Sequence, residues 1–148
     1  MKSEWVTMKA SDFIEFNPRL SLKKGTLATK IAMDKLQPFT KRIDITEKAL
    51  YSGGAKFCNG DTILARITPC LENGKTAFVD ILQEGEAGFG STEFIVMRAK
   101  EGVSDPQFVY YVAISPFFRE RAIKSMVGSS GRQRVQQSVI ENLELSVP

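Results

Sequence analysis

The sequence predicts an α+β fold, in which a mixed, mostly antiparallel twisted sheet carries helices packed toward the C-terminal side. Short alternating apolar segments separated by glycine and Asn-Gly turns fill the middle of the chain, a pattern typical of strands. Apolar residues at helical spacing dominate the last third. The 148 residues are 43 % hydrophobic and 25 % charged, which favours a single globular domain over residues 1–148.

The first third of the chain contains two predicted strands and one helical turn. Alternating apolar residues predict strands over residues 5–8 and 28–33. Ser11 and Asp12 are predicted to cap a helical turn that continues through Phe16, because their side chains accept hydrogen bonds from free backbone N–H groups.

The middle of the chain is predicted to be rich in strands, over residues 62–67, 76–82 and 91–98. Asn73 and Gly74 are expected to join the first two strands as a hairpin, since Asn-Gly supplies the positive φ of a type I′ turn. Before the third strand, the glycines that would let a sheet bend or bulge are Gly85, Gly88 and Gly90.

The last third is predicted to be helical and to end in a strand over residues 143–147. Ser104 is the expected N-cap of the first helix, and Pro116 is expected to kink or restart it. Ser138 begins a capping box for a short final helix. Helical spacing places four aromatic residues in the core: Tyr110, Tyr111, Phe117 and Phe118.

Composition removes several classes of function. The absence of histidine excludes histidine general bases, Ser-His-Asp and Cys-His nucleophiles and histidine-ligated metals. Cys58 and Cys70 are too few and too far apart for a zinc site or a CxxC pair, so no metal and no cofactor is predicted. No apolar run is long enough for a membrane span or a signal peptide, and the expected location is the cytoplasm.

Two enzymatic interpretations fail on spacing. Asp61 and Glu72 lie in the order of a restriction-type nuclease site, but Lys75 follows Glu72 by three residues instead of the two that such a site requires. Salt-bridged surface residues are the favoured interpretation. The central glycines do not form the GxGxxG loop of a cofactor-binding methyltransferase.

A loop rich in glycine, serine and arginine is the first candidate for binding. Backbone N–H groups at Ser129 and Ser130 are expected to form a nest for phosphate. Arg132 and Arg134 suit bidentate bonds to phosphate or guanine, and Gln133 between them suits a base edge. A flexible loop with solvated charges explains the same residues, and the sequence leaves both interpretations open.

The predicted hairpin is the second candidate. Arg66, Thr68, Asn73 and Lys75 would project from one end of a two-stranded ribbon, a shape that fits a DNA major groove. Taken alone, an ordinary exposed hairpin is the favoured interpretation. If the hairpin binds DNA, Asn73 would read a base edge.

Charge is distributed unevenly along the chain, whose formal net charge is +3. Residues 1–43 and 107–148 carry an excess of basic side chains, and residues 44–106 carry an excess of acidic ones. If the two ends meet, one face would be basic and suited to a polyanion, although ordinary surface variation explains the same counts. Phosphate contact and a solvated face are both open for four further residues: Lys23, Lys24, Lys41 and Arg42.

Ordered motifs along nearly the whole chain add a family resemblance. They are NGDTILARITP at residues 59–69 with ENGK at 72–75, GFGSTEF at 88–94, GSSGRQRV at 128–135 and LELSVP at 143–148. In this order and spacing they resemble the target recognition domain of type I restriction-modification DNA specificity (S) subunits.

The resemblance implies a DNA-binding module without catalysis of its own, which reads one half of a bipartite site in double-stranded DNA. Methyltransferase (M) subunits would supply S-adenosylmethionine chemistry, and a restriction (R) subunit would cleave. Family members usually carry two recognition domains separated by long helices. This sequence ends where a spacer helix would begin, so one half-site reader without that helix is expected.

Sequence-specific binding of duplex DNA is therefore the predicted function. The predicted contact residues are Arg66, Thr68, Asn73, Lys75, Ser129, Ser130, Arg132, Gln133 and Arg134. The alternative is a protein–protein interaction module without sequence-specific DNA binding, whose basic face would meet an acidic partner.

Overall fold

A computed structural model describes residues 5–129 and 131–147. The strands are β1 (Val6–Lys9), β2 (Ile14–Phe16), β3 (Leu27–Ile31), β4 (Glu47–Leu50), β5 (Ala55–Phe57), β6 (Thr62–Ala65), β7 (Thr76–Phe78), β8 (Gly88–Gly90), β9 (Phe94–Ala99) and β10 (Glu144–Val147). The α-helices are α1 (Ala10–Phe13), α2 (Pro106–Ile114), α3 (Pro116–Lys124) and α4 (Gln137–Glu141), and a 3₁₀ turn covers Met33–Lys35. None of the described helices is long and apolar enough to cross a membrane.

The strands form two four-stranded sheets and one two-stranded sheet. The central sheet has the order β2-β9-β6-β7 and is antiparallel throughout. The outer sheet has the order β4-β3-β8-β5, in which β3 and β8 run parallel. The two-stranded sheet pairs β1 with β10. The predicted α+β class with mixed, mostly antiparallel pairing is confirmed, with the strands divided among three sheets.

The central sheet is covered on both faces. Ile95 and Met97 of β9 pack in one core cluster with helical residues such as Phe118. The alternate residues Phe94 and Val96 pack in a second cluster with side chains of the outer sheet. Because successive side chains of a strand point to opposite faces, β9 and β6 serve both cores at once. The layers are therefore outer sheet, central sheet and helices.

Glycine is required where the outer sheet closes around β8. A Cβ at Gly90 would lie 2.6 Å from the carbonyl oxygen of Ile31 in β3, closer than any real contact. The sequence predicts only a permissive segment at these glycines, whereas the structure uses Gly88–Gly90 as a paired strand. Glycine is needed at these positions because the neighbouring backbone is too close for a side chain, and not because the segment must be flexible.

Strand β7 is shorter than the predicted strand over residues 76–82. The ladder with β6 runs from Leu64↔Thr76 to Thr62↔Phe78. Beyond it the N–H of Val79 donates to the Asp61 carbonyl over 2.8 Å, and Asn59 binds the backbone of Leu82 through both side-chain atoms. The chain therefore leaves the sheet to follow the turn that precedes β6. The predicted helical turn near Ser11 is also shorter, since strand β2 replaces its second half.

The helix starts differ from prediction at three of four positions. Helix α1 begins at Ala10 with Lys9 as its N-cap, so Ser11 and Asp12 lie inside it. Asp105, and not Ser104, caps α2: its carboxylate accepts the N–H groups of Gln107 and Phe108 over 2.9 and 3.3 Å. The Ser104 hydroxyl is used elsewhere, because it donates to the Phe13 carbonyl. Ser138 lies inside α4, whose N-cap is Gln136.

Pro116 restarts the helix, as predicted, and begins α3. The aromatic prediction holds for Tyr110 and Phe118, which are buried. It is wrong for Tyr111 and Phe117, which are 56 % and 41 % exposed. The prediction treats residues 108–126 as one continuous helical pattern. Because the chain breaks at Pro116, α2 and α3 present different faces to the core, and a single helical spacing does not identify the buried residues of both.

Candidate nucleic-acid interface

Three charged side chains meet where β6 ends and β9 begins. The Nε atom of Arg66 lies 3.2 Å from Oε1 of Glu93. Arg134 binds the same carboxylate through two bonds of 2.9 Å, from Nε to Oε1 and from Nη2 to Oε2. One carboxylate therefore holds two guanidinium groups side by side. The sequence predicted both arginines as contact residues.

Backbone hydrogen bonds fix these three residues relative to the central sheet. The N–H of Arg66 donates to the Glu93 carbonyl over 2.9 Å, which extends the β6–β9 ladder by one residue. The Arg66 carbonyl accepts the N–H of Val135 over 2.8 Å. Arg134 and Val127 exchange two backbone bonds of 3.0 Å, which closes the loop between them. The side chains thus stand on an extension of the rigid sheet.

The electrostatics keep the cluster ionised. The hydrogen bonds from Arg134, together with the positive charge of Arg66, hold the pKa of Glu93 below its usual range, although partial burial opposes this shift. The bonds to Glu93 in turn raise the pKa of Arg134. The group carries one negative and two positive charges at neutral pH, so an excess positive charge remains for an anionic ligand.

A cleft of about 290 Å³ opens beside Arg66. Gly54, Lys56 and Thr92 contribute to its walls. Gly54 admits no side chain, because its φ is +113° and a Cβ would lie 2.0 Å from the carbonyl oxygen of Gly90. Glycine is therefore required at this point of the wall, close to the basic residues Lys56 and Arg66.

A second concavity of about 690 Å³ lies next to the first, and Lys56 lines both. Arg19 and Lys23 are its other basic residues. We define the basic face by the residues of the two clefts and the ion-pair cluster: Arg19, Lys23, Lys56, Arg66 and Arg134. Its basic side chains line or adjoin two neighbouring concavities, an arrangement suited to bind a phosphate backbone.

The glycine- and serine-rich loop lies next to Arg134, as its sequence position requires. The N–H of Arg132 donates to the Ser129 carbonyl over 2.9 Å, so that this N–H is used within the loop. The side chains of Ser129, Arg132 and Gln133 are exposed. Ser130, the remaining predicted contact of this loop, lies outside the described residues.

The connection between β6 and β7 is not the predicted two-residue hairpin. A loop of consecutive turns covers residues 68–74, and only Gly74 has positive φ, whereas a type I′ turn needs two such residues. The N–H of Thr68 donates to the Gln133 carbonyl over 2.9 Å, which ties the start of the loop to the predicted binding loop. The Thr68 hydroxyl donates to Glu72 within the loop.

Lys75 and Asn73 are separated from the ion-pair cluster. The Lys75 ammonium donates to the Leu36 carbonyl over 2.6 Å, which occupies it within the fold. Arg119 of α3 donates to the Glu72 carbonyl over 3.2 Å, so the end of the loop that carries Asn73 faces α3. Arg66, Thr68, Asn73 and Lys75 therefore do not project together from one ribbon end.

The four further basic residues predicted for phosphate contact lie in different parts of the structure. Lys23 belongs to the basic face, and Lys24 is exposed close by in sequence. The Lys41 ammonium lies 5.1 to 5.4 Å above three aromatic rings and binds Gln107, so it fastens its segment to α2. Arg42 forms an exposed ion pair with Asp44 at 2.7 Å.

Sequence reasoning missed three residues of this region: Arg19, Lys56 and the role of Glu93. Arg19 directly follows Asn17-Pro18, and Lys56 is two residues after the Gly53-Gly54 pair. A basic residue beside such a break is the signal that would have found them. Glu93 lies within the GFGSTEF motif, but its partners are 27 and 41 residues away in sequence.

Asp61 is salt-bridged, as expected, but it is buried and not a surface residue. Asp61 is buried and bound by Arg98, with bonds of 2.7 and 2.8 Å. It also accepts the N–H of Cys58 over 2.9 Å. Within residues 5–129 and 131–147, no group of three His, Cys, Asp or Glu is arranged to hold a metal ion.

Comparison with known proteins agrees with the resemblance carried by the motifs. The chain is 28 % identical over 152 residues to the specificity subunits of the type I restriction enzymes EcoAI and EcoEI from Escherichia coli. Each match covers 98 % of this chain and 25 % of the relative, so the chain spans about a quarter of their length. Both relatives are named as specificity subunits.

Solved structures share the fold. The HsdS subunit from Thermoanaerobacter tengcongensis superposes with a TM-score of 0.74 at 17 % identity, over 97 % of this chain and 38 % of that one. A structure concerned with complex assembly and conformational transition of the type I R-M system gives the same values. The family model for the type I restriction modification DNA specificity domain matches residues 2–148. The chain therefore belongs to the family of type I restriction modification DNA specificity domains.

Proposed function

We propose that residues 1–148 form a single recognition domain that binds double-stranded DNA sequence-specifically and reads one half of a bipartite site. The observation that carries this proposal is the basic face, in which two arginines bound to Glu93 stand beside two adjoining concavities. Membership of a family described by DNA specificity supports the same conclusion.

The geometry divides the work between two groups of residues. Arg19, Lys23 and Lys56 line the concavities and would bind phosphates, which position a duplex without reading its sequence. Arg66 and Arg134 stand on the extended central sheet and would reach base edges in the major groove, where arginine pairs with guanine. The exposed Arg132 and Gln133 would extend this reading group, with Ser129 near a phosphate.

The domain would act as the non-catalytic part of a type I restriction-modification complex and would need no cofactor. Methyltransferase and restriction subunits would be its protein partners and would carry out modification and cleavage. The names of the related specificity subunits support this assignment. Acting on cellular DNA would place the domain in the cytoplasm.

Selection from a random duplex library tests the proposal directly. The expected result is one enriched short sequence, since fixed arginines accept only some base edges. Binding to that sequence should weaken with salt: if about five phosphates are neutralised, the slope of log affinity against log salt is about −4.5. The slope is measured by fluorescence anisotropy of a labelled duplex across salt concentrations.

A matched pair of variants locates the contact surface. Lys56→Gln removes a charge shared by both concavities and should weaken binding to all duplexes and reduce the salt slope by about one unit. Lys35→Gln removes the same charge from an exposed 3₁₀ turn that lines neither concavity and should leave binding unchanged. Equal effects of the two variants would exclude the basic face as the contact surface.

A protein–protein interaction module predicts the opposite selection result, with no enriched sequence from the library. An enzyme predicts turnover. Incubation of duplex DNA with magnesium, or with S-adenosylmethionine, should leave the DNA uncut and unmethylated by this domain. Either product would contradict the proposal.

A further inference from the structure

Glu93 is an acidic residue bound to two arginines of the basic face. Its side chain is 21 % exposed and binds Arg66 and Arg134, the two arginines that face the proposed DNA site. A carboxylate repels phosphate, so its presence weakens the electrostatic attraction that the basic face offers to any duplex. Attraction of DNA phosphates therefore does not explain why Glu93 occupies this position, and we look for another role in recognition.

The ion pairs leave both arginines able to bind a further ligand. A guanidinium has five N–H donors. The bonds to Glu93 use Nε and Nη2 of Arg134 and only Nε of Arg66. The two parallel bonds fix the plane of the Arg134 guanidinium, and the single bond restrains that of Arg66. The remaining donors can bind a base edge that matches this arrangement without breaking either ion pair.

We propose that Glu93 is a specificity-determining positioning residue, which holds Arg66 and Arg134 in one orientation for base reading and opposes their attachment to phosphates of unrelated DNA. This inference rests on the proposed function, because it concerns how the same surface discriminates among duplexes.

Two physical effects produce the discrimination. A fixed arginine has already lost its conformational freedom before binding, so the matching base edge is bound at lower entropic cost. A free arginine follows whichever phosphate is near. The negative charge of Glu93 acts over the Debye length of about 8 Å, a range that covers the phosphates next to the two arginines.

The first test replaces Glu93 by glutamine and compares the duplex selected by the wild-type chain with a scrambled duplex of the same composition. Glu93→Gln should bind the scrambled duplex more tightly and steepen its salt slope by about one unit, because one repelling charge is gone. The ratio of the two affinities should fall about tenfold, as expected when a bidentate contact loses its geometry.

Glu101→Gln is the matched control. Glu101 is exposed and follows the C-terminal end of β9, whereas Glu93 directly precedes its N-terminal end. The two glutamates therefore lie at opposite ends of the same strand. The control makes the same change in net charge and should leave both affinities and the salt slope unchanged.

Arg134→Lys provides a second, independent variant. Lysine keeps the positive charge but cannot make the two parallel bonds to Glu93. The affinity for the selected duplex should fall about tenfold, while the affinity for the scrambled duplex and its salt slope stay the same. If Glu93→Gln does not fold, as judged by circular dichroism, Glu93→Asp decides the question. Aspartate keeps the charge but is one methylene shorter, so the affinity ratio should fall while the salt slope stays the same.

The outcomes separate the two proposals. If the wild-type chain selects no sequence, the proposed function is wrong and this inference is wrong with it. If the wild-type chain selects a sequence and the folded variants keep its affinity ratio, only the role of Glu93 is overturned.

Discussion

The carboxylate of Asp61 is 1 % exposed, and its charge is balanced by the guanidinium of Arg98 through two hydrogen bonds. The pair joins the turn before β6 to strand β9, and thus fixes the start of the strand whose other end carries Arg66. A buried charge of this kind depends on its partner, because an unpaired carboxylate in the interior is strongly unfavourable.

Arg98→Met should therefore lower the free energy of unfolding by about 3–5 kcal/mol, since it leaves Asp61 buried without its cation. Arg42→Met is the matched control, because Arg42 pairs with Asp44 at the surface and its loss should cost about 0–1 kcal/mol. Urea unfolding at neutral pH measures both values. Similar losses of unfolding free energy for the two variants would show that burial does not strengthen the contribution of the Asp61–Arg98 pair to stability.

At the scale of single residues, the sequence was enough to select the arginines of the candidate site but not the residues that contact them. Arg66 and Arg134 were predicted because arginine beside turn residues is typical of phosphate and base recognition. The role of Glu93 could not be predicted, since both its partners are brought to it by strand pairing between distant segments. Lys75 was assigned to DNA contact because its sequence neighbours suggested a hairpin, whereas the folded chain places it against Leu36.

At the scale of elements, the caps give the sharpest comparison between sequence and structure. Asp105→Ala should lower the free energy of unfolding by about 1 kcal/mol, because two N–H groups at the start of α2 lose their acceptor. Ser138→Ala should change it by less than about 0.5 kcal/mol, since this serine is not the cap of α4. Thermal unfolding distinguishes the two, and a larger loss at Ser138 would restore the capping box predicted from sequence.

Elements with a clear period were predictable from sequence. The alternation over residues 62–67 and 91–98 predicted β6 and β9, and Pro116 predicted the start of α3. Strand β8 was not predictable, because glycine disfavours strands and only the close approach of β3 requires it there. Edge strand β4, mostly exposed, likewise has too little apolar alternation to be recognised.

At the scale of the whole molecule, the first and last strands are neighbours. Val6 pairs with Val147 in the antiparallel β1–β10 sheet, so residues 5 and 147 lie close together at the helical layer. A short linker between residues 148 and 1, combined with new ends between Glu101 and Gly102, should give a permuted chain that folds. The turn at residues 101–103 is exposed, and opening exposed turns is usually tolerated.

Circular dichroism and thermal unfolding would show a cooperative transition for this permuted chain. A matched permutant opened between Leu64 and Ala65 should not fold, because that cut divides the central strand β6. Folding of both chains would mean that the central sheet does not organise the molecule.

The residues of the ion-pair cluster lie just beyond the strands that support them: Arg66 follows β6, and Glu93 precedes β9. Neither is part of the two large apolar clusters, which are filled by the strand residues themselves. Inherited substitutions at these two positions would therefore alter recognition while the interior is preserved. Under the proposed function, a lineage of such domains would change its DNA target by point mutations that spare the apolar interior.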